Sequence, residues 1–274
     1  MHRARLPLTE SDKKFFEETG YLYIEDFYPR GLFDELLLDI HRLIALLCER
    51  EGLPRPRSFD PSEFDDGLAA LLKKDRKLGG IIYEAAKKIP SHIQLACHPV
   101  HGEVSRYLLA TDFPGFASRG WGLRLDHPSE DVYLTQLHQD YVSQLCSPRG
   151  LVFWTPLRRA DMALGPVIIY PKSHKRGVFP IEVKGAGSYG LQIHDQDQVE
   201  REFTPITPEV GRGDCVIVDC LTLHKSSPNR SNRTRWALIS RYFDFNDPAG
   251  KSIGWIGGLQ EGNSFDKVFP DLVR

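Results

Sequence analysis

Between residues 113 and 245 the chain breaks into short segments rich in Val, Ile, Trp and Tyr, separated by glycine and proline. GWGLRLD, DVYLTQLHQD, GLVFWTPL, PVIIYP, REFTPI, DCVIVDC and TRWALISRYFDF each have the length and β-branched or aromatic content of a strand. Many short strands with turns between them point to an antiparallel sandwich or barrel. The region before them reads differently. Thr9 is placed to cap a short helix that Gly20 stops, and residues 21–27 read as a strand. Residues 32–50 carry Leu36, Ile40, Leu43, Ile44 and Leu47 on a helical period. Two or three more helices are expected between residues 64 and 109. No composition break marks a linker, so residues 1–274 are read as a single domain. It comprises mostly helical support over 1–110, a β-core over 113–245 and a glycine-rich tail over 246–274.

Bulk properties narrow the function classes. The hydrophobic share of 41% and charged share of 26% belong to a soluble globular chain. The net charge of -2, without a long basic run, argues against nucleic acid as a partner. The five cysteines are scattered and form no CxxC pair, which disfavours a disulfide framework or a cysteine zinc site. The opening MHRARLPLTES has no apolar leader. The most apolar helical run is interrupted by Asp34, Glu35, Asp39, His41 and Arg42, so it reads as amphipathic rather than membrane-spanning. The expectation is a cytoplasmic protein acting on a small molecule, without membrane or nucleic-acid partners, as a monomer or homodimer.

The chemistry concentrates in LTQLHQDY, residues 134–141. His138 and Asp140 stand two apart in a segment read as a strand, and side chains at i and i+2 share a face. His224 closes the apolar stretch VIVDCLTLH just before a polar turn, where a rigid strand end suits a ligand. Two histidines and one carboxylate on one side of an ion make the facial triad of non-haem Fe(II) centres. Eleven residues later comes Arg235, which shares strand parity with Arg233, Ala237, Ile239 and Arg241. A guanidinium entering a β-core needs a carboxylate, and no acidic residue lies between Lys225 and Ile239. A ligand carboxylate would meet that need, with Arg233 and Arg241 as competing anchors.

Together these segments resemble the phytanoyl-CoA dioxygenase family of Fe(II)/2-oxoglutarate-dependent oxygenases. LHQD matches the family's metal motif. GP…PKSHK, containing His174 as a turn residue, matches its strand–turn element. LHKSSPNRSNRTRWALISRYF matches its distal block, and FFEETGYLYIEDFYPRGLFDELL its opening. The resemblance implies a mainly β fold with α additions: a double-stranded β-helix (jelly roll, cupin-like) core flanked by N-terminal helices. It implies Fe(II) on His138, Asp140 and His224, with 2-oxoglutarate as co-substrate and dioxygen as oxidant. It makes Arg235 the anchor of the distal 2-oxoglutarate carboxylate, supported by Ser226. The expected reaction hydroxylates an unactivated C–H, releasing succinate and CO2. The presence of Asp140 disfavours halogenation, which needs that coordination position empty. Gln136, Trp154 and Thr155 are expected to line the 2-oxoglutarate pocket. Tyr141, Gln144 and Arg124 are candidates to meet the substrate; Arg119 is a further one, with a solvated loop or strand edge as the competing role for both arginines. The competing functions are a cupin-like hydrolase or isomerase using Zn or Mn on the same ligands, and an inactive jelly-roll binding protein.

Overall fold

The structure, a computed structural model, describes residues 2–117, 121–184 and 190–274. In chain order the first elements are β1 (Arg3–Ala4), α1 (Glu10–Thr19), β2 (Tyr21–Ile24) and α2 (Arg30–Arg50). They are followed by α3 (Leu68–Lys74), α4 (Lys77–Ala86), α5 (Pro90–Ala96) and α6 (Pro99–Leu108). Then come β3 (Pro114–Phe116), β4 (Gly122–Asp126), α7 (Asp140–Gln144), β5 (Gly150–Pro156), β6 (Val167–Ile169), β7 (Ile181–Val183) and β8 (Leu191–Ile193). The last elements are α8 (Gln196–Arg201), β9 (Cys215–Asp219), β10 (His224–Ser226), β11 (Arg235–Asp244), α9 (Pro248–Ser252) and α10 (Phe265–Val268).

The main sheet runs β1-β2-β9-β5-β11, with β3 and β4 pairing successive parts of the far edge of β11. Facing it, β10 pairs antiparallel with β6. Single bridges widen that pair on both sides, His138 to His224 and Ile206 to Ile169. Two facing antiparallel layers with these connections make the jelly roll expected from the resemblance.

Strand alternation divides the interior in two. On β9, Cys215 and Ile217 join Leu151, Phe153, Trp236 and Leu238 beneath the helices. Their neighbours Val216 and Val218 join Val152, Trp154 and Ala237 between the two sheets. Both faces of the central strands are therefore covered, which is why they read as continuous apolar runs. The helical layer is nucleated by α1 and α2. Thr9 and Asp12 form a reciprocal capping box at the start of α1, and Gly20 ends it at φ 76°. A Cβ at Gly20 would collide with Thr222 Oγ1 and the His174 ring, so a side chain is excluded there by space as well as by backbone conformation.

Several boundaries differ from expectation. Residues 131–140 are not a strand. They form a 3-10 turn at Asp131–Tyr133, an extended stretch bridged at His138, and the start of α7. Arg76 explains the departure: it pairs with Glu130 at 2.5 and 2.7 Å and lies 5.0 Å from the Tyr133 ring, drawing this segment toward α4. The REFTPI segment begins inside α8 and touches the sheet only at Ile206. Pro205 lacks the N–H that a full strand would need there. Between residues 64 and 109 there are four helices, two of them opened by Pro90 and Pro99. The tail folds back into the interior: Phe265 is fully buried in the core between the sheets, and Val273 bridges Ile181.

Two predictions follow from this packing. Phe265→Ala should lower unfolding free energy by about 3–5 kcal/mol, the usual cost of emptying a buried aromatic site. A denaturant midpoint close to wild type would show that the tail is not docked. The second concerns His92 and His101, both fully buried in the helical layer. His101 accepts the Tyr28 hydroxyl at 2.8 Å and donates to the His98 carbonyl at 3.1 Å. Burial holds His92 down at about 4 and His101 at about 3. Unfolded, each returns to about 6.5 and takes up a proton that the folded state refuses. Stability should be complete above roughly pH 6.5 and fall as pH drops toward 4, by up to about 1.4 kcal/mol per unit for each histidine. Chemical denaturation at pH 7, 6, 5 and 4.5 tests this. A flat profile would mean that both rings are protonated when folded.

Candidate metal centre

The backbone of residue 138 is joined to that of residue 224 by a reciprocal pair of hydrogen bonds, each N–H donating 3.1 Å to the other's carbonyl. This brings the two imidazoles to 4.2 Å between ring centres. Gln139 φ -112° and ψ 133° keep the chain extended for one residue more, so Asp140 returns to the face of His138. Gln139 itself points the other way and is pinned there. Its amide N donates to the Gly177 and Leu221 carbonyls at 2.8 and 2.6 Å, and its Oε1 accepts from Phe179 N at 2.9 Å. The i, i+2 logic thus survives although the strand does not.

Ring orientation is set from behind. His138 Nδ1 lies 2.9 Å from the Gln136 carbonyl, and His224 Nδ1 lies 2.9 Å from the Thr222 carbonyl. A carbonyl only accepts, so each Nδ1 carries a proton and each ring turns its Nε2 toward the centre. Asp140 Oδ2 lies 3.0 Å from His224 Nε2 and 3.9 Å from His138 Nε2, buried and with no hydrogen-bond partner among the described residues. Two ring nitrogens and a carboxylate oxygen converge at one buried point, the donor set that a bound cation takes. The three form the only such group of His, Cys, Asp or Glu among the described residues, with all ligand atoms within 4.8 Å. Two nitrogens and one oxygen fit Fe(II) and leave positions for other ligands.

Electrostatics agree with that use. Burial pushes the Asp140 carboxyl up, but the Arg241 guanidinium and the two imidazoles outweigh it and hold it well below the ordinary carboxylate range. Burial and the neighbouring His224 ring push His138 down to about 3, so it is a neutral donor at physiological pH.

The centre opens on a cavity of about 550 Å³, within the size range of small-molecule sites. Its lining includes Gln136, Trp154, Ser226, Arg235, Gln144 and Arg124. Two expected residues are not there. Thr155 follows Trp154 on β5 and so faces the helices; strand alternation forbids both from lining one pocket. Tyr141 is buried at 3% exposure and packs against Phe265 and Phe269, because α7 begins at Asp140 and turns it from the opening. Arg119 lies outside the described residues. His174 braces the turn, its Nε2 lying 3.1 Å from the Glu17 carbonyl.

Arg235 has a protein partner outside its own segment. Asp126 on neighbouring β4 lies directly opposite and accepts from Nε and Nη2 at 3.1 and 2.9 Å. Arg235 also donates to the carbonyls of Gly165 and, at 3.0 Å, Ser227. Arg124 binds the same Asp126 carboxylate at 2.8–3.0 Å and bonds Thr135 Oγ1, which places it at the Arg235 end of the cavity. The visible signal was the alternation of GLRLD, which sets Arg124 and Asp126 on one face.

A jelly roll that brings two histidines and an aspartate together has the donor set of a non-haem metal enzyme. Comparison with known proteins narrows this. The sequence model of the family described as Phytanoyl-CoA dioxygenase (PhyH) matches residues 16–237, and the chain belongs to that family. A probable phytanoyl-CoA dioxygenase of Caenorhabditis elegans is 24% identical over 264 residues, covering 93% of this chain and 80% of that protein. The peroxisomal phytanoyl-CoA dioxygenase of Homo sapiens is 22% identical over 251 residues, covering 86% and 68%. Among solved structures, the epimerase SnoN with Fe3+, alpha-ketoglutarate and nogalamycin RO superposes with a TM-score of 0.60 at 16% identity, covering 89% and 88% of the two chains. EctD from S. alaskensis with bound Fe gives 0.57 at 17% identity, covering 87% and 77%. The protein is an oxygenase whose cofactors are Fe(II) and 2-oxoglutarate. No helix among the described residues is long and apolar enough to cross a membrane.

Gln139→Leu provides a test of how the centre is held. It removes three buried hydrogen bonds and strands their partners, so stability should fall by about 2–4 kcal/mol. Metal affinity should fall with it, measured by Co(II) titration of the folded variant. Wild-type affinity would show that the pinned amide does not position its neighbours.

Proposed function

We propose that this protein hydroxylates an unactivated C–H bond of a small-molecule substrate, with His138, Asp140 and His224 holding Fe(II). The observation that carries the assignment is the convergence of Asp140 Oδ2 with the Nε2 atoms of His138 and His224, ligand atoms within 4.8 Å of one another. When bound, Fe(II) and 2-oxoglutarate supply the oxidising chemistry, with dioxygen split between succinate and product and CO2 released. The chain's own part is orientation, charge and exclusion of water.

Arg235 anchors the distal carboxylate of 2-oxoglutarate in this reading, with Ser226, Gln136 and Trp154 around it. Its bond to Asp126 fixes the guanidinium in place at the cavity wall. The guanidiniums of Arg124 and Arg235 meet on one carboxylate, which brings two cationic groups to that end of the cavity. Apolar walls from Val152, Trp154, Val218 and Ile239 hold water away from the metal side. Gln144 is the remaining candidate to meet the substrate, from the lip after Asp140. Family membership favours this reading over a cupin-like hydrolase or isomerase and over an inactive binding protein. We further propose that the whole chain works as one domain, supported by the single core that α2 and α6 share with the main sheet. A reducing compartment such as the cytoplasm suits its five free cysteines.

Anaerobic addition of Fe(II) and 2-oxoglutarate should produce a weak charge-transfer band in the visible, lost in His138→Ala and Asp140→Ala. Arg235→Ala should raise the 2-oxoglutarate concentration needed for that band by at least about thirtyfold, since breaking a buried charge-assisted pair costs about 2–5 kcal/mol. It should leave Fe(II) binding nearly unchanged. An unaltered 2-oxoglutarate requirement would remove Arg235 from the anchor role. Hydroxylation itself is read by mass spectrometry as a gain of one oxygen atom in a substrate found by succinate release. A product without added oxygen would replace hydroxylation by another outcome.

A further inference from the structure

Arg241 is a conspicuous inward-facing side chain of β11 that the assignment above leaves without a task. It stands opposite Val152 in the sheet, on the same face as Arg235, Ala237 and Ile239, and its side chain is 18% exposed at the cavity wall. Its Nε donates to Asp140 Oδ1 at 2.6 Å. The other carboxylate oxygen, Oδ2, is the one aimed at the two imidazoles. The carboxylate is therefore divided: one oxygen is taken by the protein and one is left for the metal. A carboxylate free to rotate can chelate through both oxygens and fill a coordination position that 2-oxoglutarate or dioxygen requires.

We infer that Arg241 is the positioning residue of the iron site, fixing Asp140 as a ligand through a single oxygen. The inference rests on the reading of His138, Asp140 and His224 as the metal ligands. The bond comes from Nε rather than from the end of the guanidinium fork. Glutamine carries its amide nitrogen the same number of bonds from the backbone, so Arg241→Gln keeps a donor while removing the charge. Arg241→Met removes both at similar length.

The experiment is anaerobic Fe(II) titration of wild type, Arg241→Gln and Arg241→Met, followed by the visible band on adding 2-oxoglutarate. Thermal melting establishes that each variant is folded. The Met variant should lose about 10–100-fold in Fe(II) affinity, as loss of a ligand-orienting bond does, and give a weakened or displaced band. The Gln variant should keep the wild-type band and stay within about threefold in affinity, far less than that loss. A folded Met variant that binds Fe(II) as tightly as wild type and gives the same band would overturn the inference. So would a Gln variant as impaired as Met, which would make Arg241 a charge rather than an orienting donor. If Met does not fold, the Gln variant decides alone: a wild-type band sustains the role and a lost band ends it. Failure of the wild type itself to take up Fe(II) would fell the ligand assignment and this inference with it.

Discussion

The two backbone hydrogen bonds between His138 and His224 are the joint on which the site depends. They fasten a loop to a short strand from the other end of the chain, so that both imidazoles leave one surface at one height. Everything near them serves to keep that joint in place. Gln139 ties the loop to Gly177, Leu221 and Phe179. Ser173, in the PKSHK turn, accepts from Leu223 N at 2.8 Å and donates to the Tyr170 carbonyl at 2.7 Å. The apolar interior supplies rigidity, and these polar ties convert rigidity into ligand geometry.

Strand β11 distributes charge along the cavity. Alternation sends Arg235 and Arg241 to the same side, separated by the small or apolar Ala237 and Ile239. Each guanidinium finds a carboxylate on a different element, Asp126 or Asp140. In the proposed reading the first pair marks the co-substrate end and the second backs a metal ligand, so a single strand serves two ends of the site. Both carboxylates are buried and each is met by a guanidinium.

Much of this was legible in the residues. Thr9 and Gly20 bracket α1 where a capping threonine and a glycine stop should stand, and the apolar runs around residues 153, 217 and 238 are central strands. His138, Asp140 and His224 meet as their spacing and strand-end position suggested. What was not legible had tertiary causes. The partner of Arg235 came from a neighbouring strand, which a search along its own segment does not reach. The strand expected over 131–140 is displaced by the contact of Arg76 with Glu130 and Tyr133. Tyr141 looks like a mouth residue until the onset of α7 rotates it into the core. Thr155 could have been excluded earlier, since its neighbour Trp154 already claimed the inner face. The position of the tail had no periodic signal at all; only the burial of Phe265 reveals it.

Gly20 lies far from the reaction in sequence, yet it shares a wall with the iron centre. The atom that a side chain there would strike is the hydroxyl of Thr222, whose own carbonyl sets the tilt of the His224 ring. The N-terminal helix is thereby more than a cover over the barrel. Its closing turn acts as a spacer, and the missing methyl at that point leaves the room in which one metal-facing ring stays upright. A side chain at residue 20 would therefore press on the residue whose carbonyl holds His224.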